Sequence, residues 1–116
     1  MIDENPELCL IYGDTNSNVA AALAASKLQI QVAHVQSGPR SFNRVIPEEI
    51  NRVIYDHLSD LLIAPISNTV EQLLKEEISV EKVFQVGDVM YDVSSYYASK
   101  AQNFSVIVKN LSCVKD

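Results

Sequence analysis

The sequence predicts an α/β domain: a parallel sheet with flanking helices. Three observations predict it. Short apolar runs rich in β-branched residues alternate with stretches of helical period, in the order βαβαβαβα. Each strand-like run ends at a turn or capping cluster: Gly13-Asp14, Gln36 onward, Pro65, and Gly87-Asp88. The chain has 116 residues, 47% of them hydrophobic, which is enough for the core of one domain and too little for two.

The elements follow in chain order. Residues 8–12 (LCLIY) are continuously apolar and stop at Gly13, the pattern of a central strand buried on both faces. Asp14, Thr15, Asn16 and Ser17 then offer helix-capping side chains. Alanines at 20, 21, 22, 24 and 25 favour a helix that lies close on a sheet. Residues 30–35 are the second strand. Pro47, Glu48 and Glu49 open the second helix, proline at its first position and two acids complementing its dipole. Ile50, Val53, Ile54 and Leu58 form one apolar stripe along it. Residues 60–64 make the third strand, and Ser67 or Asn68 caps a third helix. Residues 82–86 are the fourth strand. Asp88 starts a fourth helix with Val89, Val93, Tyr96 and Tyr97 on one face and its tyrosines packed on the sheet. Residues 104–111 mix β-branched content with helical spacing, and helix is the preferred reading.

Composition narrows the function. A net charge of −6 argues against a nucleic-acid partner or an anionic membrane surface. Cys9 and Cys113 have no paired spacing, as in a reducing compartment. The start MIDENPE lacks a basic region and an apolar core, so no signal peptide is expected, and no apolar run reaches transmembrane length. The expected setting is cytoplasmic.

In a parallel α/β sheet, ligands bind beyond the carboxyl ends of the strands. Gly13, Asp14, Gln36, the loop after it and Gly87-Asp88 all belong to that edge. Gly13-Asp14-Thr15-Asn16 reads either as an anion-binding turn or as helix capping by Asp14 or Asn16. Within residues 47–52 (PEEINR), Arg52 has the spacing to pair with Glu48 or Glu49; alternatively, one Glu turns into a cleft to exchange protons. His34 and His57 fit packed or capping roles, and no metal-ligand spacing occurs.

Five ordered blocks go further: YGDTNSNVAAALAA, QVAHVQSGPRS, PEEINRVIYDHLSDLLIAP, VEQLLKEEIS and VFQVGDVMYDV. Together they resemble the non-hydrolysing UDP-N-acetylglucosamine 2-epimerases over roughly residues 5–100. The resemblance implies part of the first Rossmann-like domain of a GT-B-like, two-domain isomerase. It implies interconversion of UDP-GlcNAc and UDP-ManNAc by elimination and re-addition of UDP, with no cofactor. Asp14 and Glu48 match two catalytic acids, and Gln36 stands where the family's third acid belongs. The same blocks make Gly13, Arg40, Glu49 and Arg52 candidate substrate-binding residues.

Two positions depart from the family pattern: Gln36 cannot act as a carboxylate, and Pro39 replaces leucine beside Arg40. The single partial domain is expected to span 1–116, with residues 101–116 as a linker helix toward a second domain. A lone chain of this extent is expected to be inactive and, with an unpaired sheet edge, to self-associate or pair as a homodimer. The alternative is a non-catalytic relative that keeps the scaffold as a binding or regulatory module.

Overall fold

The computed structural model describes residues 3–104. Four strands and four helices alternate: β1 (Leu8–Tyr12), α1 (Asn16–Lys27), β2 (Gln31–Val35), α2 (Pro47–Leu58), β3 (Leu61–Ala64), α3 (Ser67–Lys75), β4 (Val83–Gln85) and α4 (Val89–Phe104). A short 3-10 turn, Val80–Lys82, leads into β4. The strands are all parallel and ordered β1-β2-β3-β4, so each helix crosses over between neighbours. Their carboxyl ends fall together, which places Gly13, Gln36, Pro65 and Gly87 along one edge. The helix expected at 104–111 falls almost wholly outside the described residues.

The core forms where the sequence supplies small or branched side chains. Ile11, Ala22, Ala25, Val32 and Tyr55 pack between α1, α2 and the sheet, while Leu62, Ala64 and Leu73 pack beneath α3. Ala22 and Ala25 are fully buried, so the alanine run does bring α1 close to the sheet. Gly38 marks another close approach. Its φ is +91°, and an added Cβ would sit 2.6 Å from the Thr69 carbonyl oxygen, so the loop after β2 can lie on α3 only with glycine there.

Four sequence expectations are corrected. β1 is an edge of the described sheet rather than a central strand; Leu8, Leu10 and Tyr12 alternate outward, and β2 is the strand with four consecutive buried residues. The stripe Ile50, Val53 and Ile54 on α2 faces outward, each about two-fifths exposed, because the opposite face carries a buried polar set. At α3 the cap position is Ile66, not Ser67 or Asn68. Thr69 replaces a side-chain cap, its hydroxyl donating to the Ile66 carbonyl (2.6 Å) and accepting from the Ile66 N–H (3.3 Å). Tyr91, Tyr96 and Tyr97 on α4 are exposed rather than packed on the sheet, and Tyr96 and Tyr97 meet edge to face. Asp88 does start α4 as expected: its Oδ1 accepts the Met90 and Tyr91 N–H groups.

Candidate functional site

A cavity of about 390 Å³ opens at the carboxyl ends of the strands. Gly13, Asp14, Arg52 and Gln36 form its walls, His34 and Tyr55 line it from β2 and α2, and Pro39, Arg40 and Ser41 close one side. Pro65 and Asp88 complete the far side. Its volume lies at the lower end of the range for small-ligand sites. Gly13, Asp14, Gln36, Arg40 and Arg52, five of the residues singled out in the sequence, meet here. Glu49 sits behind the wall, buried, and Glu48 is exposed on the first turn of α2 and does not line the cavity.

The buried polar face of α2 builds this site. Residues three and four apart share a helix face, so Glu49, Arg52 and Asp56 align, with Asn51 and Tyr55 beside them. Asn51 Nδ2 donates to the Asp14 carbonyl (2.9 Å) and to Asn16 Oδ1 (2.9 Å). Arg52 Nε donates to Asp14 Oδ2 (3.1 Å), Arg52 Nη2 donates to the same oxygen, and Arg52 Nη1 reaches Glu49 Oε2 (3.4 Å). Neither Asp14 nor Asn16 therefore caps α1, whose cap position is Thr15 without a side-chain bond. Burial alone would lower the Arg52 pKa; its bond to Asp14 more than offsets this and the value is raised. Asp14 lines the cavity, and its Oδ1 has no hydrogen-bond partner among the described residues.

Glu49 holds the loop. Its carboxylate oxygens accept the N–H groups of Ser41 and Phe42, both at 2.9 Å. Burial alone would raise its pKa, but those backbone donors and Arg40 bring it below the ordinary value of 4.5. A carboxylate with a depressed folded value contributes stability that is complete above its unfolded value and is lost as pH falls through the folded one. Glu49→Gln is therefore expected to flatten the decline of stability below about pH 4.5. Urea titrations at stepped pH measure this, and an unchanged slope would remove Glu49 from the acid response. Glu76 is likewise lowered, because its bond to Arg40 outweighs burial, and adds to the slope.

Arg40 is an internal strut. Its side chain is only 2% exposed. Nε and Nη2 form a fork on Glu76 (2.8 and 2.7 Å), while Nη1 donates to Asp56 Oδ2 (2.7 Å) and the Pro39 carbonyl (2.9 Å). Four of its five N–H donors are thus committed inside the protein. Burial lowers its pKa, and the bonds to Glu76 and Asp56 raise it further than that. Asp56, fully buried, also accepts the Gly38 N–H (3.2 Å) and meets His34 Nδ1 at 2.5 Å. Sequence reasoning treated His34 as a packed residue and passed over Asp56. The available signal was spacing: Asp56 lies four residues beyond Arg52 on the same helix face.

Gln36 turns the chain out of β2 with a φ of +66°, a conformation costing about 1–3 kcal/mol outside glycine. Its Nε2 donates to Asp88 Oδ1 at 3.4 Å, linking the second and fourth strand ends. Tyr55 has a buried hydroxyl without a hydrogen-bond partner, a group that costs about 1–3 kcal/mol when left unsatisfied. Burial pushes its pKa well up, so the O–H stays protonated and can donate. No group of three or more His, Cys, Asp or Glu side chains placed to hold a metal occurs among the described residues. Nor is any described helix long and apolar enough to cross a membrane.

A parallel α/β sheet with a charged cavity beyond its strand ends defines a Rossmann-like ligand-binding unit. The family model for UDP-N-acetylglucosamine 2-epimerase matches residues 1–113. A UDP-N-acetylglucosamine 2-epimerase homolog of Methanococcus maripaludis is 48% identical over 109 residues, 92% of this chain and 30% of that protein. The UDP-2,3-diacetamido-2,3-dideoxy-D-glucuronate 2-epimerase of Pseudomonas aeruginosa is 46% identical, covering 87% of this chain and 29% of that one. Among solved structures, UDP-GlcNAc 2-epimerase of Methanocaldococcus jannaschii in complex with UDP-GlcNAc and UDP superimposes with a TM-score of 0.85. It is 42% identical and covers 99% of this chain and 32% of that one. The chain belongs to the UDP-N-acetylglucosamine 2-epimerase family, an isomerase family of GT-B-like fold. It spans about 30% of the length of these relatives.

Proposed function

We infer that this chain is part of the first domain of a UDP-GlcNAc 2-epimerase and supplies one wall of its sugar-nucleotide site. The observation that carries the reading is Asp14, held by Arg52 on a strand-end cavity with one carboxylate oxygen unpartnered. A carboxylate so placed can exchange a proton with a bound sugar, as elimination of UDP and its re-addition at inverted C2 requires. Glu48 would contribute from outside the cavity as described, and Arg40 acts by shaping the loop rather than by binding substrate. The acidic chain fits a small ligand in a cytoplasmic setting better than nucleic acid or membrane.

The test is exchange at C2. Intact protein incubated with UDP-GlcNAc in deuterium oxide is expected to replace the C2 proton and form UDP-ManNAc, both followed by NMR. A parallel incubation with the diacetamido uronate sugar named for the Pseudomonas relative decides between the two substrates. Gln36 favours a second reading, a binding module without turnover, because an amide cannot exchange a proton at neutral pH. Tight binding of UDP-GlcNAc with no deuterium at C2 would select that reading.

A further inference from the structure

We propose that His34 is a proton-accepting catalytic residue on the floor of this cavity, oriented by Asp56. The inference rests on the isomerase reading above and adds a residue to it. Its first support is geometric. His34 lies two residues before Gln36, so both belong to the same strand end and both line the cavity. His34 Nδ1 meets Asp56 Oδ1 at 2.5 Å, while Asp56 Oδ2 accepts from Gly38 and Arg40. With Asp56 Oδ1 as the acceptor of this contact, Nδ1 is the donor nitrogen of the imidazole. Nε2 is then left with a lone pair, and it has no hydrogen-bond partner among the described residues.

The second support is independent. Tyr55 packs edge to face on His34 with ring centroids 4.4 Å apart, lines the same cavity, and has a buried hydroxyl without a partner. The lining of the cavity therefore includes an unpartnered donor, the Tyr55 hydroxyl, and an unpartnered acceptor, His34 Nε2. Buried polar groups in a native fold are nearly always satisfied, so an orphaned hydroxyl in this lining fits a site that a ligand completes. The surroundings also explain why a histidine suits this place. Asp14 is tied to Arg52, and Asp88 caps α4 while accepting from Gln36.

The step balances. Nε2 takes the proton from sugar C2, the C–H electron pair becomes the C1=C2 double bond, and the C1–O pair leaves with UDP. The imidazolium is neutralised by the Asp56 carboxylate. Re-addition of UDP to C1, with a solvent proton relayed through the Asp14 carboxylate to the opposite face of C2, gives the epimer. His34 then releases the proton it took to solvent, so one proton leaves C2 and one returns.

The test separates orientation from chemistry. His34→Asn keeps an N–H near the position of Nδ1 for Asp56 but has no basic nitrogen. In intact protein it is expected to melt like wild type and to lose about 10²–10⁴-fold in C2 exchange, with KM changed less than about threefold. A merely structural histidine would leave the exchange rate of His34→Asn near wild type, and that result overturns the proposal. Nitrogen-15 spectra of the ring give a readout free of turnover: Nδ1 protonated, Nε2 unprotonated, and Nε2 shifted by added UDP-GlcNAc. A proton on Nε2 at neutral pH, or no response to the nucleotide sugar, also overturns it. Wild-type protein without any C2 exchange would overturn the isomerase reading instead, and the ring spectra would still decide whether His34 meets the ligand.

Discussion

Asp56→Ala is expected to cost about 3–5 kcal/mol of folding stability, the usual loss when one partner of a buried ion pair is removed. Three groups lose an acceptor together: Arg40 Nη1, His34 Nδ1 and the Gly38 N–H. The Asp56 side chain is 0% exposed and that of Arg40 2%, so water cannot replace the missing oxygens without opening the loop. Against a typical total of about 5–15 kcal/mol, this change removes much of the margin. Urea denaturation monitored by circular dichroism measures it. Glu76→Gln is the comparison. Glu76 is one-fifth exposed, and Arg40 would keep Asp56, so the loss should be distinctly smaller. Equal losses would mean that the strut works as one unit, and a loss under about 1 kcal/mol for Asp56→Ala would mean that its charge is hydrated.

The alternation of elements was legible because each strand end carries a turn former and each helix its period. Boundaries of α2 followed from Pro47, and the start of α4 from Asp88, since both act locally. The orientation of α2 was not legible. An apolar stripe usually faces the core, yet here Ile50, Val53 and Ile54 face outward and Glu49, Asn51 and Asp56 face inward. That inversion depends on partners 7 to 38 residues away in sequence, which local periodicity does not report. The same long-range pairing explains the site. The edge on which Gly13, Asp14 and Gln36 would meet could be read from topology alone, whereas Arg40's enclosure by Glu76 and Asp56 could not. Ala22 and Ala25 show the opposite case, a composition signal that translated directly into close helix–sheet packing.

Asp14→Asn is expected to reduce C2 proton exchange in intact protein by about 10²–10⁴-fold, the range for loss of a general acid–base group. The fold around it should persist. Asparagine has the same shape, its carbonyl oxygen can accept from Arg52, and the Asp14 backbone carbonyl remains bonded to Asn51 at 2.9 Å. What disappears is the carboxylate that lines the cavity. If Asp14 acts in the transition state, kcat should fall with KM nearly unchanged; if it only binds the ligand, KM should rise with kcat preserved. Arg52→Lys tests the support separately. Lysine keeps the charge but lacks the fork that places two N–H groups on Asp14 Oδ2, so the carboxylate would keep a cationic neighbour but be loosely held. An Arg52→Lys protein that is slower than wild type yet faster than Asp14→Asn would fit a proton-exchanging carboxylate steadied by its neighbour. Near-normal exchange in Asp14→Asn would make this carboxylate a structural partner of Arg52, and the search for the acid of this wall would move to Asp88.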